Sequence, residues 1–479
     1  MVLYHTGAKK ARGNLGTGRD IMQNMFGWAD WQWYGSGIWT LILVTALWWH
    51  IGYFFVRKLK FSLLTKFFLS PVIGVILLSI GAFVAGSCHM YWLVYVYAGA
   101  EILSLLVNLR HYVPAIKRKL KAKIWRQYAD LLVLMALGLA LQLPAIFGSG
   151  LMADEGMWMY FTNNSDGLMH VGFIQALTQE FPAVRPEIDI PLSDYHYWSD
   201  LVMAQLVRLG VPALNLFCQF IPVILSVATT GLVYAVGREI TGSKKAARWV
   251  TLVNLVASEG AFWLTFFFAQ HHGWAMATFD NGADQFLNMP AVFAKWMFWG
   301  GWVLWDKMWR SKSLRAGWWL TILAIVLPMF KVYWWILLMS GWAAVLVSDI
   351  CFGARREREN VHKICTKCIQ NVINNKWQYL AWLVALAGGW WLLSGVMTSG
   401  GQTFVWSPWV WAKVLLSNDH LAWDEWALRQ QMYASSGFGW HAAKDYVLMI
   451  VVGVWYVFGA RLLAWVVSKK VYNFCSGTT

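Results

Sequence analysis

Residues 152–200 read MADEGMWMYFTNNSDGLMHVGFIQALTQEFPAVRPEIDIPLSDYHYWSD, and this stretch decides how the rest of the chain is read. It carries eight carboxylates against a single arginine, Arg185. On both sides of it the sequence turns into long apolar runs separated by short basic connectors. A polar connector of this length between apolar spans is uncommon unless it works. We therefore expect 149–210 to be an acidic loop that carries an active site.

The chain around it has 479 residues, 58% of them hydrophobic and 13% charged. That is more apolar surface than a soluble fold of this size can hide, so the expected class is an all-α polytopic membrane protein. The net charge of +15 sits in the connectors. It is thus the positive-inside bias of a membrane chain and does not call for nucleic acid as a partner. The first 36 residues lack an apolar core with a cleavage site, so no signal peptide is expected. The six cysteines fall in or beside spans or on the basic side, which implies no disulfide framework. Most of the 35 tryptophans are expected in interfacial belts and bundle packing.

Working outward from the loop, four spans precede it, at 37–56, 67–86, 90–108 and 128–147. Seven Lys/Arg and no acid between 110 and 126 mark that connector as cytoplasmic and the loop as extracytoplasmic. After the loop come spans at 211–237, 249–268, 289–305, 317–328, 332–350, 377–396 and 446–467, about 11 in all. The pair 317–328 and 332–350 meets at Pro328-Met-Phe-Lys331, and the first is too short to cross unaided, which suggests a broken helix. Outer loops are expected at 269–288 and 398–445. The count places the N-terminus outside, against the charge of Lys9, Lys10, Arg12 and Arg19. The division is a tail with four spans (1–148), the acidic loop (149–210) and the remaining bundle (211–479), with no internal repeat.

Ser165-Asp166 opens a helical pattern that runs through Leu177, and Asp166 and His170, four apart, share one face of it. A carboxylate and an imidazole so placed can hold a divalent cation or relay a proton. The plainer reading is a helix-start charge beside a packed imidazole. Asp154-Glu155, just past the fourth span, are a base and a ligand on one reading and solvated acids on the other. The segment 194–200 packs two acids, His196 and three aromatics into seven residues. Asn281, Asp284, Asn288 and Lys331 are further polar groups expected at the outer face. A lone lysine between apolar runs needs a counter-ion or a phosphate, unless it snorkels to the interface. Glu101 and Glu259 lie within spans. His362-x-x-Cys365-x-x-Cys368 has one CxxC pair and no second, too little for a zinc site. No phosphate-binding glycine loop is present, which disfavours an ATP-driven transporter or a cytoplasmic nucleotide-sugar enzyme.

Together these pieces resemble the multi-spanning glycosyltransferases of the GT-C superfamily. The likeness lies in Asp154-Glu155, SDGLMHVGFIQAL, the connector FPAVRP and YHYWSDL. It is closest to the bacterial members whose loop reads Asp-x-x-x-His, then Pro, then Tyr-His. FLNMPAVFAKW resembles that group's Asn-x-Pro helix start, and LPMFKVYWW its Pro turn before a late span, so the likeness covers about 150–350. It implies a polyprenyl-phosphate sugar donor and inverting transfer on the outer face of a bacterial inner membrane. An acid of the first outer loop would be the base, often with a divalent cation such as Mg2+ or Mn2+. On that reading Asp166 is the first choice of base and Asp154 the second. Glu155, His170 and His196 orient the acceptor or hold the cation, with Asp154, Asp166 and His170 as its ligands. His196, Asp284, Asn288 and Lys331 contact substrate, Lys331 at the donor phosphate. The sequence departs from the pattern in its three extra spans before the loop, in Lys331 where a histidine is frequent, and in its short third loop. The rival readings are a transporter or flippase for a polyprenyl-linked saccharide, resting on Glu101, Glu259 and the broken helix, and an oligosaccharide polymerase or ligase.

Overall fold

The computed structural model describes residues 31–121, 128–147, 149, 151–153, 156–158, 166–181, 183–184, 192, 195–256, 288–353 and 375–399, with a few isolated positions after 431. The chain separates into two compact units, Met1–Arg248 with Phe286–Gln402, and Trp249–Gln285 with Thr403–Thr479. The first carries nearly all the described elements and the whole candidate site.

Four stretches are long and apolar enough to cross a bilayer: Trp33–Val56, Leu63–Ser87, Leu93–Arg110 and Ala213–Thr241. Shorter apolar helices lie at Ala129–Leu143, Leu314–Met329 and Val332–Ser348. On the third crossing stretch Val96, Leu103 and Leu106 stand exposed, a surface suited to lipid rather than water. The chain is a helical membrane protein.

The first crossing stretch is α1 (Trp31–Val44), a π-helical turn (Thr45–His50) and α2 (Ile51–Val56) in continuous succession. Helix α3 (Leu63–Ser87) starts where Ser62 accepts the Thr65 amide, and it carries Pro71 inside it, in the third turn. It crosses the first stretch at very short range. A Cβ on Gly52 would enter the Ser70 carbonyl, and one on Gly74 the Trp48 carbonyl. Small residues at a crossing let backbones approach in this way. Helix α4 is Leu93–Lys121 and α5 is Ala129–Phe147.

After α5 come a two-stranded hairpin, β1 (Leu151–Ala153) and β2 (Gly156–Trp158), with Met152 opposite Met157. Then follow α6 (Asp166–Gln179), α7 (Trp198–Arg208) and the short α8 (Ala213–Asn215). A second π turn, Leu216–Phe220, leads into α9 (Ile221–Thr241), which packs against α3, α5 and α11 (Met289–Ser311). Helix α10 (Lys244–Val256) lies between α9 and α11 in the chain. Helix α12 (Leu314–Val326), a 3-10 turn (Leu327–Met329), α13 (Val332–Gly353) and α14 (Lys376–Ser399) complete the described elements.

Several sequence expectations change. The acidic segment 149–210 holds the helix expected from Asp166, as α6, and also a second one, α7, that was not expected; both bury apolar residues. The basic residues 110–121 continue α4 as helix through Pro114. Lys, Arg and Leu are good helix formers, and a basic connector need not be irregular. The span expected at 289–305 runs on to Ser311, and the broken helix at 328–331 holds a 3-10 turn closed by the Phe330 amide on the Leu327 carbonyl, which also accepts from the Lys331 amide. The remainder of the expected 249–268 span, the span 446–467 and most of the loops 269–288 and 398–445 lie outside the described residues.

Polar contacts gather at two opposite ends of the first unit. At the basic end Glu239 accepts from Ser62 and Thr65, Arg248 pairs with Asp130, and Lys312 donates to Asn375. At the other end the α3–α4 turn meets the inserted segment. There the Tyr91 hydroxyl both receives the Phe181 amide and donates to the Phe181 carbonyl, while Arg208 lies over the Tyr91 ring. Since the first stretch reaches the basic end at Val56, its Trp33 end belongs to the other, as the span count expects. The exposed Cys88 marks that end. With the other five cysteines replaced by serine, a membrane-impermeant thiol reagent is expected to label Cys88 in intact cells. A cysteine placed at Lys245 should label only after permeabilisation. The reverse pattern would invert the protein.

Candidate functional site

Asp166 is the first residue of α6, where a carboxylate meets the positive end of the helix. It is exposed, whereas His170, one turn further on, is 3% exposed. The two were expected to act as a pair on one face. Instead His170 Nδ1 lies 2.9 Å from Asp200 Oδ2, on α7. Its imidazole stacks on Phe217 of the second π turn at 5.8 Å and 16°, and packs on Phe173 and Tyr195. With Asp200 ionised the carboxylate can only accept, and Nδ1 then carries the ring proton.

Asp200 is fully buried, and its Oδ1 has no hydrogen-bond partner. Burial pushes its carboxyl above the usual carboxylate range, while His170 and Lys331 pull the other way. Lys331 follows the 3-10 turn, and its ammonium donates to His196 Nε2 at 2.6 Å. That nitrogen must be unprotonated, since an ammonium has no lone pair to offer. The His196 ring stacks on Tyr195 at 4.0 Å. Burial draws the Lys331 pKa below the ordinary lysine value, and Asp166 and Asp200 oppose the fall.

Three segments far apart in sequence therefore meet: the start of α6, residues 195–200, and the turn before α13. They bring Asp166, His170, His196 and Lys331 together, and with them Asp200, which sequence reasoning had marked only as one acid in a dense segment. The missed signal is an acid three residues into a helix whose next residues, Leu201 to Leu206, are all buried. The segment is held from the other side by Arg208, which donates to the Leu177 carbonyl and so ties α7 to α6. Trp198 wedges between Phe83 and Phe330, linking α7 to α3 and to the Lys331 turn.

Other expected site residues behave differently. Asn288 is the N-cap of α11, its Oδ1 accepting the Ala291 amide with Pro290 in the first turn. The Asn-x-Pro run therefore starts a helix, and Asn288, expected to contact substrate, uses its side-chain oxygen as the cap. Asp154, Glu155 and Asp284 lie outside the described residues. Among the described residues no three His, Cys, Asp or Glu side chains gather as a metal-binding group. Asp154, one of the three expected ligands, lies outside those residues, and of the other two His170 is paired with Asp200 through Nδ1.

No protein-family model, curated protein or solved structure matches this chain. Function must therefore be argued from the cluster itself.

Proposed function

We propose that the protein is an integral membrane glycosyltransferase that moves a sugar from a polyprenyl-phosphate donor to an acceptor. In this reading the chain has about 11 spans and a GT-C-like fold, sits in a bacterial inner membrane and works at its outer face. The acceptor is a cell-surface glycan, lipid or protein. The observation that carries the reading is the half-buried lysine. Lys331 stands at the end of the bundle away from the basic connectors, in hydrogen-bond contact with His196 and within reach of the charges of Asp166 and Asp200, the second of which pairs with His170. Transfer from a lipid phosphate needs a cation where negative charge develops on the departing phosphate, and a base for the acceptor hydroxyl. Lys331 supplies the first. Asp166, the base that the resemblance implies, and His170 are the two described groups fit for the second.

The reading is tested with purified protein and a synthetic short-chain polyprenyl-phosphate sugar carrying a labelled sugar, offered with membrane extract as acceptor. Labelled product and free polyprenyl phosphate are the expected result. A second reading, a transporter for a polyprenyl-linked saccharide, is favoured by one observation. His50, at the end of the first π turn, pairs with Glu101 at 2.9 Å inside the apolar stretches. If no sugar is transferred, but vesicles holding the protein move the labelled lipid between leaflets and Glu101→Gln stops it, the second reading replaces the first.

A further inference from the structure

Within the glycosyl-transfer reading, on which this inference rests, the base is still to be assigned. We propose that Asp200 is a positioning residue, which acts through His170 and makes the imidazole the proton acceptor of the reaction. Three observations converge. His170 Nδ1 lies in hydrogen-bond contact with Asp200, and with that carboxylate ionised the ring proton sits on Nδ1 and the lone pair on Nε2. The ring cannot turn freely, since Phe217 lies flat against one face and Phe173 and Tyr195 pack around it. Asp200 itself is fully buried with one oxygen unpartnered. Leaving a carboxylate so placed costs stability, and an apolar residue would pack at the start of α7 without that cost.

In the step, the acceptor O–H bond breaks and its proton goes to His170 Nε2. The acceptor oxygen forms a bond to the anomeric carbon as the bond from that carbon to the phosphate oxygen breaks. The electron pair leaves on the phosphate, beside the Lys331 ammonium. Asp200 stabilises the imidazolium without taking its proton. The proton then passes to the departing phosphate, and the pair returns to its starting state. Asp166, exposed at the helix start, faces Lys331 and the entering acceptor.

Asp200→Asn is the decisive variant, because it keeps the size of the buried group. An amide can donate to Nδ1, which moves the ring proton to Nε2 and removes the acceptor nitrogen. The expected result is a loss of roughly 10²–10⁴-fold in kcat with the donor KM retained. Nitrogen-15 NMR of labelled histidine should show one imidazole changing tautomer. His170→Gln should lose a similar factor, and the double variant should be little worse than either, since the two side chains act as one unit. His170→Gln carries the same reading if the Asn variant fails to accumulate. Near-native kcat in both single variants overturns the inference, as does transfer abolished by Asp166→Asn but kept by His170→Gln. In either case wild-type transfer leaves the glycosyltransferase reading standing. A wild-type protein that transfers no sugar removes both.

Discussion

Replacing Lys331 with Met is expected to weaken binding of a polyprenyl-phosphate donor by about tenfold to a hundredfold. That range corresponds to about 1.5–3 kcal/mol for a hydrogen bond to a charged group. Met matches the length and fills the turn before α13, so the loss is of charge rather than packing. His196 loses its donor, and Asp166 and Asp200 lose the cation between them. Turnover should fall along with affinity, because the same ammonium faces the phosphate as its charge grows. The measurement is donor binding by titration alongside transfer rate. Lys331→Arg separates charge from shape: it keeps the charge but not the compact donor that fits His196 Nε2. Donor affinity unchanged in Lys331→Met would remove the lysine from the phosphate site.

The wild-type lysine also carries a pH signature. Its pKa is drawn down by burial. The ammonium is therefore present below a folded-state value that lies under the ordinary lysine one. Donor binding should be complete at neutral pH and fall as the pH rises through that lowered value, earlier than an exposed lysine would allow.

How much of this was legible in the sequence depends on the range of the interaction involved. The crossing stretches were legible, because apolar runs bounded by Lys and Arg are a local signal. So were the helix start at Asp166 and the cap at Asn288, both set within a few residues of sequence. Inside the acidic segment α6 was legible from Asp166 to Leu177, whereas α7 was not: its opening residues Trp198, Ser199 and Asp200 end a dense polar and aromatic run, and their burial is set by tertiary packing. The site was half legible. Asp166, His170, His196 and Lys331 each carry a chemical reason to be noticed, whereas Asp200 gains its meaning only from a partner thirty residues away. The two π turns have no pattern of their own. One carries Phe217 beneath His170 and the other ends at His50, which fits the tendency of such turns to occur at functional positions.

Gly74→Ala is expected, with Gly52→Ala at the same crossing, to be among the most damaging single-carbon changes in the described bundle. A Cβ at that position points into the Trp48 carbonyl, which belongs to backbone and cannot swing aside as a side chain would. Relief requires α3 to move away from the first crossing stretch. That motion opens the neighbouring approach of Gly52 to Ser70 and pushes the π turn. Trp48 is fully buried with its ring against Phe293 and Trp296, at 5.9 and 6.3 Å, so the displacement reaches α11. Overpacking of this kind costs about 1–3 kcal/mol, occasionally more. Against a total stability of about 5–15 kcal/mol, the variant should accumulate poorly and melt several degrees lower. Gly81→Ala, on the same helix, is the control. Nothing lies within 4 Å of a Cβ there. Alanine should instead favour the helix by up to about 1 kcal/mol, through propensity alone. Thermal unfolding in detergent, followed by tryptophan fluorescence, compares the two. Equal melting temperatures for the two variants would mean that α3 and the first crossing stretch do not meet at backbone distance, and that the bundle is packed differently around its first two spans.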